Sequence, residues 1–247
     1  MGKNLTIGKL NIGQSSPTAI ALSIAKKTKN EILEEAMKIV SSKPDIVEWR
    51  ADYYEYCNDY NKDKSLLIEL KEILNEVPII ITIRTTDEGG LYSNGVNDYS
   101  KLLVEISRMN IADSIDVEFN MADNYDNALV KELRKSPSKI ILSYHNFNET
   151  LSESAIKKIL MDMQNLGADA AKIAMMPISS KDVDILRQAL ASVVLHIPSI
   201  VISMGDIGKT SRYRCKDFKS CISFATYDKP IAPGQIQIDE LRLLMQE

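Results

Sequence analysis

The chain of 247 residues is 45% hydrophobic and 26% charged, enough to bury one large core. A formal net charge of -4 with no dominant basic face argues against nucleic acid or an anionic membrane as partner. Cys57, Cys215 and Cys221 form no Cys-x-x-Cys pair, which excludes a disulfide framework or zinc site, and no apolar leader occupies 1–13, so reduced thiols in the cytoplasm are expected.

In chain order, Leu5-Thr6-Ile7-Gly8-Lys9-Leu10-Asn11-Ile12 alternates at period two about Gly8-Lys9 and predicts a small hairpin. Strand-like runs follow at 19–23, 45–50, 78–84, 114–118, 139–145, 170–174, 199–203 and 221–225. Between them, apolar residues recur at helical spacing over 31–41, 64–75, 99–110, 125–135, 152–166 and 181–194. The seventh crossover, 204–220, is irregular and leaves room for only a short helix. Eight alternating units predict a (β/α)8 TIM barrel, one α/β domain over 1–247, with the hairpin closing its bottom. An open doubly wound sheet fits less well, because no Gly-x-Gly-x-x-Gly follows the first strand.

Lys172 is the residue out of place. On a strand reading, Ala170, Lys172 and Ala174 share one face, so the amine points into a space kept open by small neighbours. Desolvation favours a neutral, nucleophilic amine there; the alternative is a lysine that reaches water or pairs with a carboxylate. The same parity turns Glu48, Arg50, Asp116 and Glu118 inward and puts Arg84 and His145 at strand ends. Ionisable groups inside a barrel are costly unless they pair or bind something, and barrel enzymes work at the carboxyl ends of their strands. For Glu48 and Arg50 a structural ion pair is the competing reading, and for His145 a hydrogen-bonded core imidazole; His196 is assigned to the latter class.

The ordered segments Glu48-Trp49-Arg50-x-Asp52, Thr82-Ile83-Arg84 with Glu88-Gly89-Gly90, Ile115-Asp116-Val117-Glu118, Ser143-Tyr144-His145-Asn146-Phe147, Lys172-Ile173-Ala174-Met175-Met176-Pro177, Ser203-Met204-Gly205 with Ser211-Arg212, and Ala232-Pro233-Gly234-Gln235 resemble the type I 3-dehydroquinate dehydratase family. The resemblance implies a barrel, usually homodimeric, that converts 3-dehydroquinate to 3-dehydroshikimate in the shikimate pathway without metal or organic cofactor. It implies Lys172 as the Schiff-base lysine, His145 as general acid/base and Glu88 as the partner of that histidine. Ser23, Glu48, Arg50, Arg84, Arg212 and Gln235 match positions that hold the substrate's hydroxyls and carboxylate.

These roles make chemical sense. An iminium on Lys172 stabilises the enamine formed when a proton leaves the adjacent carbon, and an imidazole can take that proton and return one to the departing hydroxyl. Arg212 offers a planar fork from the barrel rim, and 227–235, rich in Pro and Gly, reads as a lid carrying Gln235. Two positions depart from the family pattern: Asn146 where Asp is frequent, and Ile231 where Ser is common. Two rival functions are a class I aldolase acting on a phosphorylated sugar, which calls for a phosphate nest at a helix N-terminus, and a non-catalytic barrel that binds a hydroxy acid.

Overall fold

The computed structural model describes residues 4–13, 16–59, 65–123 and 128–246; residues 1–3, Lys64 and 125–127 of the predicted segments lie outside them. The hairpin is β1 (Leu5–Ile7) and β2 (Leu10–Ile12), antiparallel, with Gly8 at φ 56° in the turn as only a residue without a β-carbon adopts easily. Eight parallel strands follow: β3 (Ala19–Ile24), β4 (Ile46–Arg50), β5 (Ile79–Thr82), β6 (Ser114–Glu118), β7 (Lys139–Asn146), β8 (Ala170–Met175), β9 (Ser199–Ser203) and β10 (Ile222–Ala225). Around them lie α1 (Lys29–Ser41), α2 (Ser65–Leu74), α3 (Val96–Arg108), α4 (Phe119–Asp123), α5 (Ala128–Leu133), α6 (Glu153–Asn165), α7 (Ser180–Ser192), α8 (Thr210–Tyr213) and α9 (Ile238–Leu244). Among the described residues no helix is long and apolar enough to cross a membrane.

The sheet runs β10-β3-β4-β5-β6-β7-β8-β9, a (β/α)8 barrel. Strands such as Ile79-Ile80-Ile81 are buried on both faces, as a parallel sheet covered by helices requires. Their period-two alternation sorts two cores. Ile79, Ile81, Ile140 and Leu142 join the sheet-to-helix layer, while Ile80, Ile141, Ala170, Ala174, Ile200 and Ile222 fill the barrel. Leu5, Ile7 and Ile12 belong to the interior cluster with Ile46 and Ala19, near the amino ends of the strands, so the hairpin plugs the bottom as expected.

Seven junctions between strands are ladders, whereas among the described residues β9 and the segment leading into β10 meet at Ser199–Ser220, through the Cys221 amide to the Ser199 carbonyl, 2.9 Å, and through the Val201 amide to Ser220 Oγ, 2.9 Å. Above that point α8 enters the gap. The Ser203 amide donates to Ser211 Oγ at 2.9 Å, the Ser223 hydroxyl to the Arg212 carbonyl at 2.7 Å, and Arg212 Nη1 to the Phe224 carbonyl at 3.1 Å. Side chains of one helical turn thus take the Ser203 amide and the Phe224 carbonyl, and a β10 hydroxyl takes the Arg212 carbonyl in return, which fixes Arg212 at the carboxyl end of the barrel.

Candidate active site

At that end a pocket is lined by all nine sequence-predicted residues, Ser23, Glu48, Arg50, Arg84, Glu88, His145, Lys172, Arg212 and Gln235. Phe147, Ala174, Ile202, Met204, Phe224 and Ile231 supply apolar lining that the sequence reading did not assign to the site. Ala174, Ile202 and Phe224 sit on the inward parity of their strands, which is the signal that would have found them.

Lys172 is 4% exposed and lies in an ion pair, its amine 2.9 Å from Asp116 Oδ2 and 3.5 Å from Glu48 Oε1. Its neighbours Ala170 and Ala174 leave the room that the sequence predicted; the pairing with carboxylates is the alternative that sequence alone left open. The Phe224 ring centroid is 4.5 Å from the same nitrogen, a cation–π distance. Burial pushes the Glu48 carboxyl up, but Lys172, Arg50 and the Ser23 hydroxyl outweigh it and hold Glu48 below its usual range. Ser23 donates to Oε2 at 2.6 Å and Thr82 to Oε1 at 2.9 Å.

Glu48 and Arg50 therefore do not form the structural pair considered from the sequence. Arg50 forks instead onto Asp52, with 2.9 Å and 2.8 Å contacts, and Asp52 also accepts from the Leu91 amide. Arg84 lies two residues beyond β5 and links the acidic wall: it reaches Asp116 at 2.8 Å, the Ser143 hydroxyl at 2.9 Å, Glu118 at 3.2 Å and Glu88 at 3.4 Å. A turn at 86–90 brings Glu88 back over the barrel. A β-carbon on Gly90 would overlap the Arg84 carbonyl, and one on Gly89, at φ 80°, would overlap the Phe147 ring, so both positions need glycine.

Glu88 Oε2 accepts the His145 amide at 3.0 Å and stands 2.8 Å from His145 Nδ1. Burial is the main cause that pushes the Glu88 carboxyl up to about 8, with Glu118 and Asp116 adding to it against Arg84. Burial, then Arg84 and Lys172, holds the imidazole well below its usual range. Both directions disfavour an ionised pair, and a Glu88 carboxylate at this distance would direct the ring as a base.

This has a consequence for stability. A carboxyl raised from 4.5 to about 8 contributes stability that is complete below about pH 4.5 and lost as pH rises through 8. Glu88→Gln, which cannot titrate, is expected to gain on the wild type between pH 5 and 9 by roughly 1–3 kcal/mol, since His145 shares the proton. Thermal unfolding of both proteins at the two pH values checks it; a constant difference in Tm would contradict a raised Glu88.

Arg212 differs from the other two arginines of the pocket. It is 2% exposed, and no carboxylate meets it among the described residues. Its Nη atoms donate to the Phe224 carbonyl at 3.1 Å and the Pro233 carbonyl at 2.8 Å, while Nε is buried without a partner. Burial alone pushes it down to about 10, the signature of a cation held without its anion. The contact with Pro233 ties down the 227–235 loop, which also touches Gly205: a β-carbon on Gly234, at φ 76°, would overlap the Gly205 carbonyl. Gln235 Oε1 accepts the Ile231 amide at 2.6 Å and the Ala232 amide at 3.2 Å, so it braces that loop from within and occupies the backbone donor of Ile231. Asn146 Oδ1 accepts the Asn148 and Glu149 amides at 2.9 Å and 3.1 Å, a turn that needs no charge. The aldolase alternative called for a phosphate nest at a helix N-terminus; after β9 the chain forms the four-residue α8, whose Ser211 is occupied by β9, and a single 3₁₀ turn at Cys215–Phe218.

Residues 20–246 match the family model described as Type I 3-dehydroquinase. A 3-dehydroquinate dehydratase of Clostridium kluyveri is 36% identical over 245 residues, covering 98% of this chain and 96% of that protein. One from Clostridioides difficile is 34% identical over 248 residues, covering 99% and 97%. A solved structure of a type I 3-dehydroquinate dehydratase from Clostridium difficile, carrying covalently modified comenic acid, superposes with a TM-score of 0.93 at 33% identity over 99% of this chain and 97% of that one. With agreement in sequence, in fold and over nearly the whole length of each relative, this chain belongs to the type I 3-dehydroquinase family.

Proposed function

We propose that the chain is a hydro-lyase that converts 3-dehydroquinate to 3-dehydroshikimate through an imine on Lys172. The observation that carries this reading is a buried lysine amine opening into a pocket that also holds a histidine–carboxyl pair and an arginine without an anion. The amine attacks the ring ketone, water leaves, and the nitrogen becomes an iminium. His145, oriented by Glu88, removes a proton from the adjacent carbon to give the enamine. The enamine expels the β-hydroxyl, which takes the proton from His145 and leaves as water, and a second water hydrolyses the iminium to free the conjugated product. Arg212 receives the carboxylate; Glu48, Arg50, Arg84 and Ser23 meet the hydroxyls, and the lid with Gln235 keeps bulk water away.

The placement of the enzyme in the cytoplasm as a homodimer, working in aromatic amino acid biosynthesis, rests on the family resemblance and on three buried cysteines outside any disulfide. The net charge of -4 supports a small-molecule substrate in place of nucleic acid.

Incubation with 3-dehydroquinate followed by borohydride tests the covalent step. A secondary amine on the peptide that contains Lys172 is expected, alongside ultraviolet absorbance of the enone during turnover. His145→Ala should still give the adduct while turnover drops by roughly 10²–10⁴-fold, because imine formation and proton abstraction are separate steps. An adduct on a different lysine would overturn the reading.

A further inference from the structure

The buried carboxylates in and beneath the pocket differ in how their oxygens are engaged. Both oxygens of Glu48 accept hydroxyl hydrogens, from Ser23 and Thr82. Both oxygens of Glu118 accept from Thr85, its amide at 2.8 Å and its hydroxyl at 2.7 Å. Asp116 is divided. Its Oδ1 accepts Arg84 Nη2 at 2.8 Å and the Ser143 hydroxyl at 2.6 Å, whereas its Oδ2 has Lys172 Nζ, 2.9 Å away, as sole donor among the described residues.

Condensation reduces the hydrogens on that nitrogen from the three of an ammonium to the one of an iminium. A single N–H cannot satisfy two carboxylates, and Glu48, at 3.5 Å, retains Ser23 and Thr82 without it. Oδ2 of Asp116 is nearer and otherwise empty. Resting on the reading that Lys172 forms an imine, we infer that Asp116 is a positioning residue: it is the counter-ion of the iminium and keeps the imine nitrogen protonated while the adjacent carbon loses its proton. The balance holds at each stage. Amine, ketone and one proton give iminium and water; loss of the carbon proton to His145 gives the neutral enamine; departure of the hydroxyl with that proton restores the iminium. Asp116 takes no proton in any of these steps. Burial favours its neutral form, but Arg84, then Lys172, outweigh it and hold the carboxyl well below the usual range. The groups that face the pair are Arg84 and Glu88 after β5, Glu48 and Arg50 from β4, Glu118 from β6 and His145 from β7, and of these only Arg84 shares the Asp116 carboxylate.

The test compares wild type, Asp116→Asn and Glu48→Gln with saturating 3-dehydroquinate across pH, together with borohydride trapping. Asp116→Asn preserves shape and removes the charge. It is expected to lower kcat by about tenfold or more, with a smaller change in KM, and to move the alkaline fall of kcat down by about one pH unit or more. Glu48→Gln is expected to keep the wild-type alkaline limb, whatever it does to KM, and it carries the test if Asp116→Asn does not fold. An unmoved limb in Asp116→Asn, or a moved limb in Glu48→Gln, overturns the assignment. Wild-type protein that gives no Lys172 adduct instead overturns the imine itself, a failure visible without either variant.

Discussion

Lys172→Met is expected to abolish the borohydride adduct and to lower turnover on the order of 10⁴- to 10⁶-fold, since no other side chain can supply the electron sink. From the sequence, methionine is a near-isosteric filler for a slot between Ala170 and Ala174. The structure adds a cost: the substitution leaves Asp116 and Glu48 buried without their shared cation. Removal of one partner from a buried pair costs about 3–5 kcal/mol when the remaining charge has no other support. Here Asp116 retains Arg84 and Ser143, and Glu48 retains Ser23 and Thr82, which reduces the expected loss to about 2–4 kcal/mol, or roughly 5–15 °C in Tm. A folded Lys172→Met with substantial activity would end the proposed chemistry. An undiminished Tm would show that the carboxylates do not depend on the amine.

Arg212→Ala is expected to lower kcat/KM by about 30- to 1,000-fold, corresponding to roughly 2–4 kcal/mol. Two losses combine. The substrate carboxylate loses the one pocket arginine not already committed to a protein carboxylate, and Pro233 loses the donor that holds the lid over the pocket. Arg212→Lys separates them, because an ammonium keeps the charge but cannot reach the carbonyls of Phe224 and Pro233 while also forking onto a carboxylate. Intermediate activity is expected of it. Wild-type kcat/KM in the alanine variant would remove Arg212 from the site.

The barrel was legible because strands and helices imprint different periods, and the inward parity was legible because it counts by two from a single anomalous residue. Both rules are local. Charge pairing is not: Glu48 and Lys172 are 124 positions apart and meet only because the barrel closes, so the sequence offered the adjacent Arg50 as partner instead. Two helix starts were read late for a related reason. Periodicity marks the buried stripe, and α1 begins at Lys29, ahead of its first buried residue Ile32, set by a Thr28–Glu31 capping box. α3 begins at Val96 behind Gly95, with its first buried residue at Tyr99. The wedge α8 is one turn long and carries no period at all, so the burial of Arg212 was out of reach until β9 and β10 were seen to part.

That parting gives the barrel a compliant line. The facing edges of the upper halves of β9 and β10 have the Ser211 hydroxyl on the Ser203 amide and the Arg212 guanidinium on the Phe224 carbonyl where other strands have a ladder, so their amides should lose protection against hydrogen exchange sooner than those of β4 to β8. Opening there would carry Arg212 and Pro233 outward together and leave Lys172, His145 and Asp116 in register on their continuous ladders. The molecule thereby separates the parts that must yield when a ligand enters or leaves from the parts whose spacing the chemistry cannot surrender.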